Sequence, residues 1–284
     1  MLVLILGLTL LFTGAVSADE VLVEVDSHIN TFYARIIDSN STQLINEAQL
    51  WYAEDLLAGT EYEDYPLISA AAPFLAGVDG PDNYVSIKPG PLTQSDMERF
   101  YGFENDLYLV KIDGAMVIEW LEETARNLTE IDPTHGGDQF LVNEDAPFFY
   151  TEMMEGVEYE IDVTAPHGDR VINVTYQGDP VTEDDTFIVA TNVFRATGGA
   201  GYPDYSDYVI ETGDIVPDII IDYLKAHDGQ VPEPSNNWSL VATEDPAGPI
   251  MFRSSPELAD YLDEVEQLQY AGEYGGWGIY MFNF

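Results

Sequence analysis

Phe187-Ile188-Val189-Ala190-Thr191-Asn192-Val193-Phe194-Arg195-Ala196-Thr197-Gly198-Gly199 opens as an apolar run and closes on an aromatic, a cation and two adjacent glycines. Phe187 to Val193 reads as a strand, buried at its start, and at Phe194 the strand becomes a loop. An extended segment that ends in this order can present the flat ring of Phe194 to a planar ligand. Gly198 and Gly199 would let backbone N–H groups come close to it. Asn192, Phe194, Arg195, Gly198 and Gly199 are therefore candidate ligand residues. A lone aromatic at a strand end is a core residue by default; the neighbouring cation and glycine pair are what move Phe194 toward a site.

Around that strand the chain mixes helices and strands without strict alternation. Asn40 to Gly59 predicts a helix with Asn40 as its cap and Leu44, Ala48, Trp51 and Leu56 on one face. A capping box, Thr93 with Asp96 or Ser95 with Glu98, opens a short helix to Tyr101. Leu107 to Ile112 reads as a strand, turned by Asp113-Gly114 into a helix from Met116 to about Leu128. Tyr159–Val163 and Arg170–Tyr176 read as neighbouring strands joined by a turn at Pro166 to Asp169. Pro217 and Pro256 stand at the first positions of two further helices, and Trp277 to Phe284 closes the chain as an aromatic strand. The expected fold class is α+β with mixed sheets flanked by helices.

A chain of 284 residues can bury a large core, roughly 75% of its unfolded surface. It contains no cysteine, which excludes disulfides and thiolate zinc sites. Acidic residues number 52 against nine basic ones, a net charge of −43, and only Lys88, Lys111 and Lys225 are lysines. With 46% hydrophobic residues and 12% aromatic the chain is foldable despite that charge. Acidic, lysine-poor and folded suggests a protein at home in concentrated salt, where self-repulsion is screened. Binding to a nucleic-acid polymer is excluded, because no basic patch exists to neutralise phosphates.

Residues 1–18 are read as a signal peptide. The apolar run Leu2 to Phe12 is too short for a comfortable membrane span, and Val16 and Ala18 put small residues where a signal peptidase reads. An artefactual start is the competing reading. Residues 19–284 then form a single domain with no membrane span, expected to be periplasmic or extracellular.

The four histidines, His28, His135, His167 and His227, are scattered and sit in no metal-ligand spacing. No nucleophile elbow and no phosphate-binding Walker loop occurs. The acidic turns at Asp79 to Asp82, Glu183 to Asp185 and Asp204 to Asp207 are of the kind that can bind Ca²⁺, but with this many acids solvated charge is the stronger reading. Phe148-Phe149-Tyr150 is a second aromatic cluster. Side chains alternate along an extended segment, so these three cannot all face one core. A ring from this cluster and the Phe194 ring would hold a base by its two faces if their loops meet.

From about Asn30 to Phe284 the chain resembles the C-terminal domain of the periplasmic 5′-nucleotidase family, in its 2′,3′-cyclic-nucleotide 2′-phosphodiesterase/3′-nucleotidase branch. The segments that carry the resemblance are Ser69 to Phe74, Asn105 to Gly114, Val117 to Glu122, Ile131 to Pro133, Gly156 to Thr164, Phe187 to Gly199, Asn236 to Leu240 and Gly278 to Phe284. It implies a two-part enzyme. An N-terminal metallophosphatase domain, joined in cis or supplied in trans, would hold two divalent metals, and this domain would grip the nucleotide or nucleoside without a cofactor or catalytic residue of its own. Of the two aromatics that clasp the base in the family, one falls on Phe194 and the other on Phe149, with Tyr150 beside it. An asparagine near the base falls on Asn105 and the glycine loop on Gly198 and Gly199. Two positions depart from the family: Phe74 stands where 5′-nucleotidases place a phosphate-binding arginine, and Ala200 where some relatives place an acid on the ribose. The competing expectation is an exported acidic binding or surface protein that kept the fold without catalysis.

Overall fold

The computed structural model describes residues 19–143, 146, 151–202, 205 and 208–284. Its centre is a five-stranded sheet built from Leu67–Ala71 (β1), Asp106–Asp113 (β2), Met153–Glu155 (β3), Thr186–Asn192 (β4) and Tyr208–Ile215 (β5). Their spatial order is β5-β2-β4-β1-β3. β4 runs antiparallel to β2 along its whole length, from Thr186 opposite Asp113 to Asn192 opposite Leu107, and parallel to β1 on its other side. The sheet is mixed, as the α+β expectation requires.

β4 is apolar without interruption because both of its faces are covered. Phe187 and Val189 join the core that contains Trp120, Leu121, Val110 and Ile112. Ile188 and Ala190 point the other way, into a core with Leu44, Ala48, Ile219, Ile220, Leu107 and Leu109. Helices α1 (Asn40–Leu57) and α5 (Val216–Ala226) thus cover one face, and α3 (Gly114–Thr124) the other. The described residues add two four-stranded sheets. One contains Glu158–Asp162, antiparallel to Val171–Tyr176, with Trp238–Val241 on its far side; the other is the C-terminal sheet of Gln139–Phe140, Ile250–Ser254, Leu268–Tyr274 and Trp277–Phe282.

Several expected boundaries move for local reasons. Ser39, not Asn40, caps α1, its side chain accepting from the Thr42 N–H; the Asn40 amide instead donates to the His28 carbonyl at 2.7 Å. The capping box that forms on α2 (Gln94–Phe100) is Thr93 with Asp96. Asp113 caps α3, which starts at Gly114 and ends at Thr124 before a 3₁₀ turn at Ala125–Asn127. β4 stops at Asn192, and Val193–Ala196 form a one-turn helix, α4. The segment opened by Ser255 is a 3₁₀ helix, Pro256–Glu264. No helix among the described residues is long and apolar enough to cross a membrane.

Candidate functional site

The site is built where the β2–β4 ladder ends. Asn192 stops β4 by turning its side chain back on the chain, Oδ1 accepting from the Arg195 N–H at 3.1 Å. That bond starts α4 and throws Phe194 outward, 43% exposed. Since Asn192 lies opposite Leu107 in an antiparallel pair, the residues just after Asn192 and those just before Leu107 leave the sheet at the same end. The latter include Asn105 and Phe103. Phe103 is 50% exposed, and the Asn105 carbonyl is fixed by the Val216 N–H at 2.9 Å. Two exposed rings and the Asn105 amide therefore leave the sheet at one end of one ladder.

Behind them is a buried polar spot. The Tyr101 hydroxyl lies beside the Asn105 and Asn192 side chains, yet it makes no hydrogen bond. Burial pushes the phenol well above its usual range, and the nearby Asn105 amide opposes that only in part. Phe74 packs edge-on against Tyr101 with centroids 4.3 Å apart and lies 5.3 Å from Phe103. Phe74 therefore contributes an apolar wall at the position where the resemblance leads one to look for an arginine. A cavity of about 200 Å³ adjoins this wall, lined by Phe74, Phe103, Asn83 and Arg99 among others.

Four of the expected ligand residues make contacts within the chain. Arg195 is buried, 1% exposed, with Nε 2.6 Å from Glu152 Oε2 and Nη1 donating to the Gly199 carbonyl at 2.7 Å. It faces the interior, because a guanidinium this deep needs a carboxylate beside it. The Gly198 N–H, expected to approach a ligand, donates to the Arg195 carbonyl at 3.0 Å. Gly198 itself holds φ 78°, a left-handed conformation that suits glycine. At Gly199 a Cβ would sit 2.7 Å from Cε1 of Phe194, so the absent side chain makes room for the ring. Asn192 is 7% exposed and acts as a cap. Phe149 and Tyr150 lie outside the described residues.

Phe103 was not among the expected residues, although its signal is present: it is an aromatic beside a glycine, two positions before Asn105 and just ahead of β2. The histidines have separate partners. His28 meets Ser86 Oγ at 3.0 Å, His167 receives from Arg126 Nε at 2.9 Å, and His227 lies 2.8 Å from the Tyr223 carbonyl. Among the described residues no three His, Asp or Glu side chains converge as metal ligands; the resemblance places the two divalent metals in a separate metallophosphatase domain.

Residues 19–207 match the family described as 5′-nucleotidase, C-terminal domain. The chain belongs to that family. It is 33% identical over 278 residues to the trifunctional nucleotide phosphoesterase protein YfkN of Bacillus subtilis, a match covering 92% of this chain and 19% of that protein. It is also 33% identical over 263 residues to the 2′,3′-cyclic-nucleotide 2′-phosphodiesterase/3′-nucleotidase of Yersinia enterocolitica, covering 84% and 40% respectively. The crystal structure of a 5′-nucleotidase precursor from Thermus thermophilus superposes with a TM-score of 0.61 at 21% identity, over 78% of this chain and 39% of that one, and shares its fold. This 5′-nucleotidase C-terminal domain thus spans between a fifth and two fifths of the length of these relatives.

Proposed function

We propose that this domain is the nucleoside-gripping part of a secreted nucleotide phosphoesterase of the 2′,3′-cyclic-nucleotide 2′-phosphodiesterase/3′-nucleotidase type. Phe194 and Phe103 take the two faces of the base, Asn105 meets its polar edge, and bond breaking belongs to a metallophosphatase domain in cis or in trans. The observation that carries the reading is the pair of half-exposed rings, Phe103 and Phe194, set at the end of the β2–β4 ladder from which Asn105 also leaves. The apolar Phe74 wall supports recognition of a nucleoside face over a tightly held 5′-phosphate.

Each base–ring stack is worth about 1–3 kcal/mol by analogy with single-stranded nucleic-acid binding. Calorimetric titration of adenosine and 3′-AMP in concentrated salt tests this. Phe194→Ala and Phe103→Ala should each raise Kd by about fivefold to 150-fold, the range that such stacks imply. Phe149→Ala in the same titration separates the two candidates for the second ring. An adenosine affinity indifferent to both Phe194→Ala and Phe103→Ala, or no binding at all, would overturn the reading.

A further inference from the structure

α4 has four residues and cannot hold its own shape, because a single turn fixes more dihedrals than it makes hydrogen bonds. Something outside it must set the direction of the Phe194 ring. The side chain next to that ring reaches two separate segments, at Glu152 and at Gly199 to Tyr202. From one guanidinium, Nε meets Glu152 at 2.6 Å, Nη1 donates to the Gly199 carbonyl at 2.7 Å, and the plane lies over the Tyr202 ring with 3.6 Å from Cζ to the centroid. Glu152 is itself fixed by Trp120 Nε1, which donates to the same Oε2 at 2.8 Å. The backbone at Glu152 is held by Thr124 Oγ1, which donates to its carbonyl at 2.8 Å and meets the Tyr202 hydroxyl at 3.1 Å. Trp120 in turn stacks on Tyr205, centroids 4.6 Å apart and planes 12° from parallel.

This network ends under the aromatic ring. Gly199, whose carbonyl Arg195 holds, is the residue against which Phe194 rests, so closely that a Cβ would meet Cδ1 and Cε1 of the ring. The Arg195 backbone N–H is fixed by Asn192 on the near side of the turn and its side chain by Gly199 on the far side. Phe194 is thus held between two anchors of one residue.

We infer that Arg195 is a positioning residue: its buried guanidinium, braced by Glu152, fixes the ring of Phe194 in the pose that receives a purine. The inference rests on the nucleoside-gripping reading above. A buried ion pair is a poor source of net stability, since desolvation offsets its attraction. What it supplies here is direction, because a planar fork has fixed donor angles that an ammonium lacks. The role is one of positioning, through the ring of Phe194.

The test uses the chain with 4-fluorophenylalanine placed at position 194 and, separately, at position 103 as a control ring from the same end of the sheet. Arg195→Lys and Gly199→Ala should each shift or broaden the ¹⁹F line at position 194 while leaving that at 103 unchanged, and each should raise the adenosine Kd by about tenfold, the scale of a lost preorganised contact. A general loosening of the fold would move both lines together. Gly199→Ala moves the ring by direct contact with its backbone and side chain, so Glu152→Gln, which removes the charge that braces the guanidinium, carries the test if Arg195→Lys fails to fold. A line at 194 indifferent to the variants that fold overturns the inference, as does a movement shared equally with 103. If the wild-type chain binds no adenosine, the nucleoside reading fails, while the ¹⁹F lines still decide whether Arg195 and Gly199 set the ring.

Discussion

Asp38 is buried just ahead of α1, where it accepts from the Asn236 N–H at 2.7 Å. Burial pushes its carboxyl up from 3.8 to about 6, with the charge of Glu155 adding to the effect. A folded-state pKa above the unfolded one means that the native state holds the proton more tightly. The associated stability is fully present below pH 3.8 and is lost as pH rises through 6. A shift of that size corresponds to about 3 kcal/mol at most. His28 behaves in the opposite way, because burial, helped by the charge of Lys88, lowers it from 6.5 to about 4. Its share of stability is present above pH 6.5 and is lost as pH falls toward 4. The two slopes oppose each other in one window, so the wild-type profile between pH 4 and 6.5 should be flatter than that of either single variant. Thermal unfolding of Asp38→Asn should show a midpoint raised at about pH 7 and falling with acidification, and His28→Gln the reverse trend; profiles parallel to wild type would contradict both assignments. At this scale the sequence was readable where a side chain's task is local. Phe194 faces outward as its setting implied. Arg195 turns inward although its neighbour in sequence is exposed, and nothing in a linear pattern tells that Glu152 waits behind it.

Among the elements, β4 was legible because an apolar run with both faces buried has no rival reading at that length. α4 was not, since four residues carry no periodicity and their helical turn depends on the Asn192 cap. The short strands Ile29–Asn30, Ser86–Ile87 and Gln139–Phe140 were equally invisible. They are strands only by virtue of their partners. The capping box on α2 is a signal that local chemistry does fix: Thr93 Oγ1 accepts from the Asp96 N–H, and the Asp96 carboxylate accepts from the Thr93 N–H at 3.0 Å. Thr93→Ala should lower stability by about 1 kcal/mol in denaturant titration, and an unchanged midpoint would show that α2 is held by its packing alone. Gly114 answers to a different constraint. It opens α3, and a Cβ there would collide with the Thr182 carbonyl oxygen. Gly114→Ala should therefore destabilise the domain, against the helix preference for alanine, by more than Thr93→Ala does.

For the molecule as a whole, a charge of −43 sets how ligands arrive. An anionic nucleotide approaches against a repulsive field that added salt screens, whereas adenosine feels none of it. Stopped-flow association of 3′-AMP should quicken as salt rises while that of adenosine stays level; slowing of 3′-AMP would mean that a local positive field outweighs the global one. The parallel pairing of β4 with β1 could not be read from the chain, because it joins segments far apart in sequence, with other strands and helices between them. One property of the sheet reaches beyond recognition. Phe103 stands just ahead of β2 and Phe194 just past β4, so both are rooted at one end of a single hydrogen-bonded strand pair. The domain is then a jig that travels as one piece. On the proposed reading, whatever carries the domain leaves the spacing of its two rings to this one sheet end.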